Sequence, residues 1–366
     1  MIRRLFDDLR SVGTYDVEHL AFAFSPTVTD LRTVSWHKMI EVIRIYTRLV
    51  QIRWRGPIDL LWFPAGGPQT VPIVRDLLLL PFFAMFARRI VVQFHAAGIA
   101  DRLNQLPRVA ATIIAAIYRL SVDSAIVMLP FNRRDPARLG IRDIIVQPFR
   151  FPDANPAGQL ASSRSDETCF LHIGHLYHLK GTTQLLEAFA RFVRRHPRAR
   201  LTLAGSFAPP FDAVKCNKML RELALVDSVS VVGELHGEDK DDCFQRSDCL
   251  IFPSIAPYES FGLVLVEALM WGLPVLATDW RGNSDILGDP PGGIVFSPEG
   301  DLASRIEETL ERAMEDRSRW SDWALRNRRR FCEHFRRNSD TASEYPVHRL
   351  LGTEFPSTES SRPIEP

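Results

Sequence analysis

Residues 253–279 read PSIAPYESFGLVLVEALMWGLPVLATD, and the rest of the chain can be read outward from this stretch. The apolar run Cys249 to Phe252 in front of it ends at Pro253-Ser254, the pattern of a buried strand closed by a turn. Phe261 to Met270 has helical character, with Gly272 placed to end the helix and Pro274 just beyond it. Val275 to Ala277 makes a second buried strand. The unit is therefore β-α-β, and its two strands are expected to run parallel.

Two glutamates bracket the helix entry. Glu259 lies in the loop before the helix and Glu267 in its second turn. Helical side chains lean toward the N-terminus, so Glu267 can reach the space that Glu259 faces. Gly262 carries no side chain, and the N–H groups of Phe261, Gly262 and Leu263 are expected to be open to a ligand. A helix N-terminus with open amides suits an anion such as a pyrophosphate. Phosphate donors flanked by two hydroxyl-binding carboxylates match the chemistry of a nucleotide sugar. A capping carboxylate beside a chance glutamate is the plainer reading of the same spacing.

The full run resembles the signature of the retaining glycosyltransferases of the GT-B fold, glycosyltransferase family 4 (glycosyl transferases group 1). Their pattern, E-[GS]-F-G-x-x-x-x-E and then A-x-x-x-G-x-P-V-x-A-T, stands here as Glu259-Ser260-Phe261-Gly262, Glu267-Ala268, Gly272, Pro274-Val275 and Ala277-Thr278. The resemblance implies two Rossmann-like, doubly wound α/β domains facing a cleft. It also implies transfer of a hexosyl or related sugar from a nucleotide-sugar co-substrate, with retention at the anomeric carbon. No cofactor and no metal are implied.

The chain has 366 residues, 46% hydrophobic and 24% charged, the size and composition of two soluble globular domains. Residues 1–150 hold 20 Lys/Arg against 12 Asp/Glu, a net of +8, and the remainder holds 25 against 32, a net of −7. The organisation expected is an N-terminal acceptor domain over 1–151, a Pro/Ala/Ser-rich linker over 152–167, a nucleotide-sugar domain with its closing helices over 168–336, and a disordered tail over 352–366. The five cysteines (169, 216, 243, 249, 332) form no C-x-x-C pair, and the opening residues do not read as a signal peptide. Reduced thiols in a cytoplasmic protein are expected.

In the N-terminal half, strands are expected at Val17–Phe24, Ile58–Phe63, Ile90–Phe94, Ala125–Leu129 and Asp143–Gln147. Helices are expected at Trp36–Ile52, Val71–Ala87 and Arg108–Leu120. Ile2, Leu5, Phe6, Leu9 and Val12 have helical spacing, so the chain opens in a helix. Domains of the resembled family open with a strand and a glycine-rich turn, so the first domain is expected to lack its first strand. A mis-assigned start, a true truncation, or a strand supplied from elsewhere would each account for this. The run Leu77 to Ala87, LLLLPFFAMFA, is too short to span a bilayer. It reads as a core helix or, on a basic domain, as an interfacial segment.

His95 follows the strand Ile90–Phe94, where open α/β sheets bind ligands. In the resembled family a histidine in this place faces the anomeric region of the sugar; a hydrogen-bonded core histidine is the alternative. Cys169–Ile173, Leu201–Ala204 and Val229–Val232 are the strands that open the second domain. His172 to Gly181 resembles the family's x-x-G-R-x-x-x-x-K-G, whose arginine and lysine clamp the donor pyrophosphate. Lys180 matches, and His175 stands at the arginine position, where a neutral imidazole does not replace a permanent cation. This departure leaves open a non-catalytic or partner-dependent nucleotide-binding protein; the two-glutamate unit disfavours an epimerase of the same fold.

Gly205 occupies the place of the family's glycine turn beside the nucleotide, and Leu235 that of the stretch whose backbone meets the base. Arg281 and Asp285 are departures from the family's G-G-x-x-E. Asp239-Lys240-Asp241 is a D-x-D, read as the solvated N-terminus of a helix. The partners expected are the nucleotide-sugar donor and an acceptor sugar or lipid-linked sugar. Peripheral contact with the inner face of the membrane through the basic domain is also expected, and nucleic acid is not.

Overall fold

The computed structural model describes residues 10, 15–20, 36–160, 167–337 and 347–351. Its elements in chain order are α1 (Trp36–Arg55), β1 (Ile58–Ala65), α2 (Thr70–Phe86), β2 (Ala87–Phe94), α3 (Ile99–Gln105), α4 (Arg108–Ser121), β3 (Ser124–Val127), α5 (Arg134–Arg138) and β4 (Asp143–Val146). Then follow β5 (Thr168–Ile173), α6 (Thr182–Phe192), β6 (Ala199–Ala204), α7 (Ala213–Glu222), β7 (Val229–Gly233), α8 (Gly237–Gln245), β8 (Cys249–Phe252), α9 (Leu263–Met270) and β9 (Val275–Thr278). The chain continues through α10 (Asn283–Leu287), β10 (Gly293–Phe296), α11 (Leu302–Glu315), α12 (Trp320–Arg330) and α13 (Val347–Leu351).

β1 to β4 form one parallel sheet in sequence order. Helices bury one stripe against it: on α4 the buried positions are Ala111, Ile114, Tyr118 and Ser121, at three- and four-residue spacing. The opposite face, at Val91, Ile126 and Ile145, receives Leu350 from α13. Arg89 Nη1 donates to Leu350 O at 2.6 Å, so the last described helix lies on the first sheet.

The opening helix expected at Ile2–Val12 lies almost wholly outside the described residues, as do residues 21–24 of the expected strand Val17–Phe24. Residues 15–20 are described and form no strand. Glu18 reaches α1 instead, within 3.0 Å of Arg55 and 3.5 Å of Arg48, while Leu20 packs onto the core. Among the described residues, β1 has a strand neighbour on one side only.

The second sheet has six parallel strands in the order β10-β9-β8-β5-β6-β7. From β5 the chain winds outward to β6 and β7, then returns to β8 and winds the other way. The strand order reverses between β5 and β8, and the crevice at their C-terminal ends is where such sheets bind ligands. The β8-α9-β9 unit is as the sequence implies, with Leu250 facing Val275 and Phe252 facing Ala277 in a parallel register. The helix begins two residues later than Phe261. It ends in a Schellman motif: Gly272 is left-handed (φ 64°), Leu273 N–H donates to Ala268 O at 2.9 Å, and Gly272 N–H to Leu269 O at 3.1 Å.

Residues 152–160 contain no helix or strand, yet they are packed down. Arg328 of α12 holds Asp153 through both carboxylate oxygens (2.9 and 2.6 Å) and also donates to Asn155 O and Met270 O. The buried Asn155 side chain donates to Gln159 O and Met270 O. Residues 352–366 lie outside the described residues.

Candidate active site at the switch between β5 and β8

Two loops meet at the reversal of the second sheet. The loop after β5 carries His175 and Lys180. It turns on Gly181, a left-handed residue (φ 76°) whose absent Cβ would sit 2.4 Å from Pro253 O. The loop after β8 carries Ser254 and Glu259. The glycine is what lets the two loops lie this close. The Lys180 ammonium bonds the Glu259 carboxylate, and Ser254 Oγ donates to the same oxygen at 3.0 Å. Lys180 also lies 5.4 Å from the Phe252 ring centroid. Lys180 and Glu259, 79 residues apart, thus share one place in the crevice.

Glu267 has a partner of its own, different from those of Glu259. It pairs with Lys240 of α8, Nζ to Oε1 at 2.5 Å, and its second oxygen is buried without a hydrogen-bond partner among the described residues. Burial raises its pKa above the ordinary carboxylate value, and the charge and hydrogen bond of Lys240 oppose that rise. The Asp239-Lys240-Asp241 segment is therefore more than a solvated helix start: its lysine faces inward onto a carboxylate of the signature.

The helix entry differs from expectation in one amide. Leu263 N–H donates to Phe261 O at 2.9 Å, because the chain turns tightly before α9 begins. That donor is used inside the protein. Phe261 is buried, with its ring 6.4 Å from that of Phe151 and 6.1 Å from that of Phe335, so its side chain packs rather than lines the crevice. At Gly262 an added Cβ would crowd Leu265 Cδ1 at 3.0 Å.

His175 is exposed, with Nδ1 at 3.0 Å from Ser206 Oγ. Gly205 packs directly behind this loop: a Cβ there would lie 1.8 Å from Gly174 O. Leu235 is partly buried against the core beneath α9. His172 is a core residue, bonded to Ile251 O (3.1 Å) and Thr182 Oγ1 (3.0 Å). Among the described residues, no three His, Cys, Asp or Glu side chains gather as a metal site.

His95, at the end of β2, faces this region from the first sheet. Ser260 Oγ donates to His95 O, and Ala97 N–H approaches Tyr258 O at 3.4 Å. Burial lowers the His95 pKa to about 4, so the imidazole is neutral at neutral pH. Its Nε2 is buried and has no hydrogen-bond partner among the described residues, unlike the ring nitrogens of the core His172.

The ties between the two sheets have no motif of their own in the sequence. Arg281, left-handed at φ 55°, pairs with Asp101 of α3 at 2.6 Å and is only 8% exposed. Its guanidinium lies 5.3 Å from the Trp280 ring and 5.9 Å from the Phe131 ring. Asp285 Oδ2 accepts Phe131 N–H at 2.7 Å. The two departures from G-G-x-x-E are thus residues that grip the segments joining the first sheet's strands. Their mismatch to the pattern was the only signal in the sequence.

Residues 160–329 match the model of the family described as glycosyl transferases group 1. The phosphatidylinositol N-acetylglucosaminyltransferase gpi3 subunit of Schizosaccharomyces pombe is 29% identical over 138 residues, 38% of this chain and 29% of that protein. The chain spans about half or less of the length of the curated relatives it matches. Among solved structures, sucrose-phosphate synthase from Thermosynechococcus elongatus superposes with a TM-score of 0.71 at 18% identity, covering 96% of this chain and 92% of that one. HepE of Anabaena, in complex with UDP, superposes at 0.67 and 16% identity, covering 86% and 84%. The fold is GT-B, and the half of the chain that holds the switch-point crevice carries the group 1 match.

Proposed function

We propose that the chain is a retaining glycosyltransferase of family 4. It moves a hexosyl or related sugar from a nucleotide sugar to an acceptor sugar or lipid-linked sugar, in polysaccharide or glycolipid synthesis. The observation that carries this reading is the meeting of Lys180, Ser254 and Glu259 at the switch point, with Ser260 bonded to the backbone of His95 from the facing sheet. In this reading residues 168–336 bind the donor and residues 1–151 the acceptor.

Glu259 holds the sugar hydroxyls, and Glu267 the ribose. Lys180 and the amides of Phe261 and Gly262 meet the diphosphate, where fixed positive charge stabilises the leaving group as its bond to the sugar breaks. His175 borders the diphosphate without a permanent charge, and Gly205 and Leu235 border the nucleotide. His95 presents an uncharged Nε2 toward the reacting centre. The UDP in the HepE complex supports a nucleotide-bearing donor, and the name of the gpi3 relative supports a phosphorylated lipid acceptor. We place the protein in the cytoplasm, on the inner face of the membrane. The basic helix α1 exposes Ile40, Ile43 and Trp54, and α2 exposes Leu78 and Met85.

The test is release of nucleoside diphosphate from a panel of nucleotide sugars, with and without candidate glycan and lipid acceptors and with chelator present. The anomeric configuration of any product is read by NMR. Turnover without added metal, retained configuration and its loss in Glu259→Gln are expected. Failure of every donor to bind or turn over refutes the reading.

A further inference from the structure

Acidic residues in the first turn of a helix meet the positive end of its dipole, and a lysine there is the unfavourable choice. Lys240 nevertheless lies in the first turn of α8, beside Glu238 and Asp239. A tertiary partner explains it: Nζ lies 2.5 Å from Glu267 Oε1, with the two side chains only 28% and 18% exposed. Glu267 Oε2, on the same carboxylate, is buried with no hydrogen-bond partner among the described residues. An unpartnered buried oxygen is costly, and a ligand hydroxyl would satisfy it. Glu267 leans toward the start of α9, which opens on the crevice between β5 and β8.

We infer that Lys240 is a positioning residue of the nucleotide site, fixing the Glu267 carboxylate so that Oε2 accepts a hydroxyl of the ribose of a nucleoside diphosphate. This rests on the nucleotide-sugar reading above. The charged groups that face Glu267 are Lys240 and Asp241, both on α8. Burial raises the Glu267 pKa, Asp241 adds to the rise, and Lys240 works against both. Without Lys240 the carboxyl takes up its proton at a higher pH and loses one acceptor position.

The experiment is calorimetric titration of the full chain with UDP, GDP and ADP, at about pH 7.5 and about pH 6, on the wild type, Lys240→Met and Lys240→Arg. For the nucleotide that the wild type binds, Lys240→Met is expected to weaken binding about tenfold or more, the factor for one charge-assisted hydrogen bond. The loss is larger at the lower pH, and Lys240→Arg stays within about threefold of wild type. Thermal melts of all three proteins separate binding from folding. If Lys240→Met does not fold, the arginine variant and the pH dependence of wild-type binding decide. Unchanged binding in Lys240→Met overturns the inference, and so does a Lys240→Arg variant that folds but binds as weakly as Lys240→Met. Absence of binding by the wild type to all three nucleotides overturns the nucleotide-sugar reading itself, a result visible before any variant is made.

Discussion

The pairing of Lys180 with Glu259 gives the sharpest test of the site, because a structural pair and a catalytic pair respond differently to double substitution. The two side chains are 16% and 12% exposed, and Ser254 donates a further bond to the carboxylate. Removing one partner of a buried pair leaves a desolvated charge and costs about 3–5 kcal/mol. Here the residual exposure and the Ser254 bond reduce that, so Lys180→Met and Glu259→Gln are each expected to destabilise by about 1–3 kcal/mol. In the double variant neither charge is stranded, and the interaction energy between the two sites should be about 1–3 kcal/mol. Urea unfolding of the four proteins measures it, with similar slopes as the condition for comparison. Activity is expected to behave otherwise. If Lys180 binds the diphosphate and Glu259 the sugar, the double variant regains stability while turnover stays at least as low as in either single variant. Recovery of turnover together with stability would show that the pair only holds two loops together. An interaction energy near zero would show that the two side chains are solvated independently.

Glu267→Ala is expected to weaken nucleotide binding by about 1.5–3 kcal/mol, whereas Glu259→Ala mainly lowers turnover; equal and negligible effects on both quantities would refute the division of roles. His95 and His172 both have pKa values lowered by burial from 6.5 to about 4. The unfolded chain therefore takes up protons first, so stability is full above about pH 6.5 and is lost as pH falls toward about 4. His172→Gln should flatten that loss in pH-dependent melts. Gly205→Ala puts a Cβ 1.8 Å from Gly174 O at φ 134°, and a drop in melting temperature with loss of nucleotide binding is expected, checked by thermal shift. The exposed apolar residues of α1 and α2, with the basic residues of α1, predict co-sedimentation with anionic liposomes that weakens with salt; indifference to both lipid charge and salt counts against membrane contact. Among the described residues no helix is long and apolar enough to cross a membrane.

The two-glutamate stretch was readable from the sequence because its meaning is local. A buried strand, a turn, a helix with its glycine stop and a second strand follow one another within thirty-odd residues, and each step has its own residue signature. The same holds for the helix stripe of α4 and for the parallel strands, whose apolar runs are what a sheet covered on both faces demands. Weak local signals carry no such reading: β10, four residues that begin at the second of two glycines, and the short helices α3 and α5 offer no period to detect.

What the sequence could not supply is which distant side chains share a place. Lys180 and Glu259 are joined because β5 and β8 are neighbours where the strand order reverses, and that order is a property of the sheet. Lys240 reads as one residue of a charged helix start until α8 is packed against α9, and Arg281 reads as a flaw in a motif until Asp101 arrives from α3, a helix of the other sheet's half. The Leu263 amide looked free by the rule for helix ends, yet the turn in front of α9 uses it. Local propensity and hydrophobic period act over one turn or one strand, and they determined the elements and the signature. Charge pairing and burial act between elements far apart in the chain, so only the tertiary structure decided the partners of Glu259, Glu267 and Arg281.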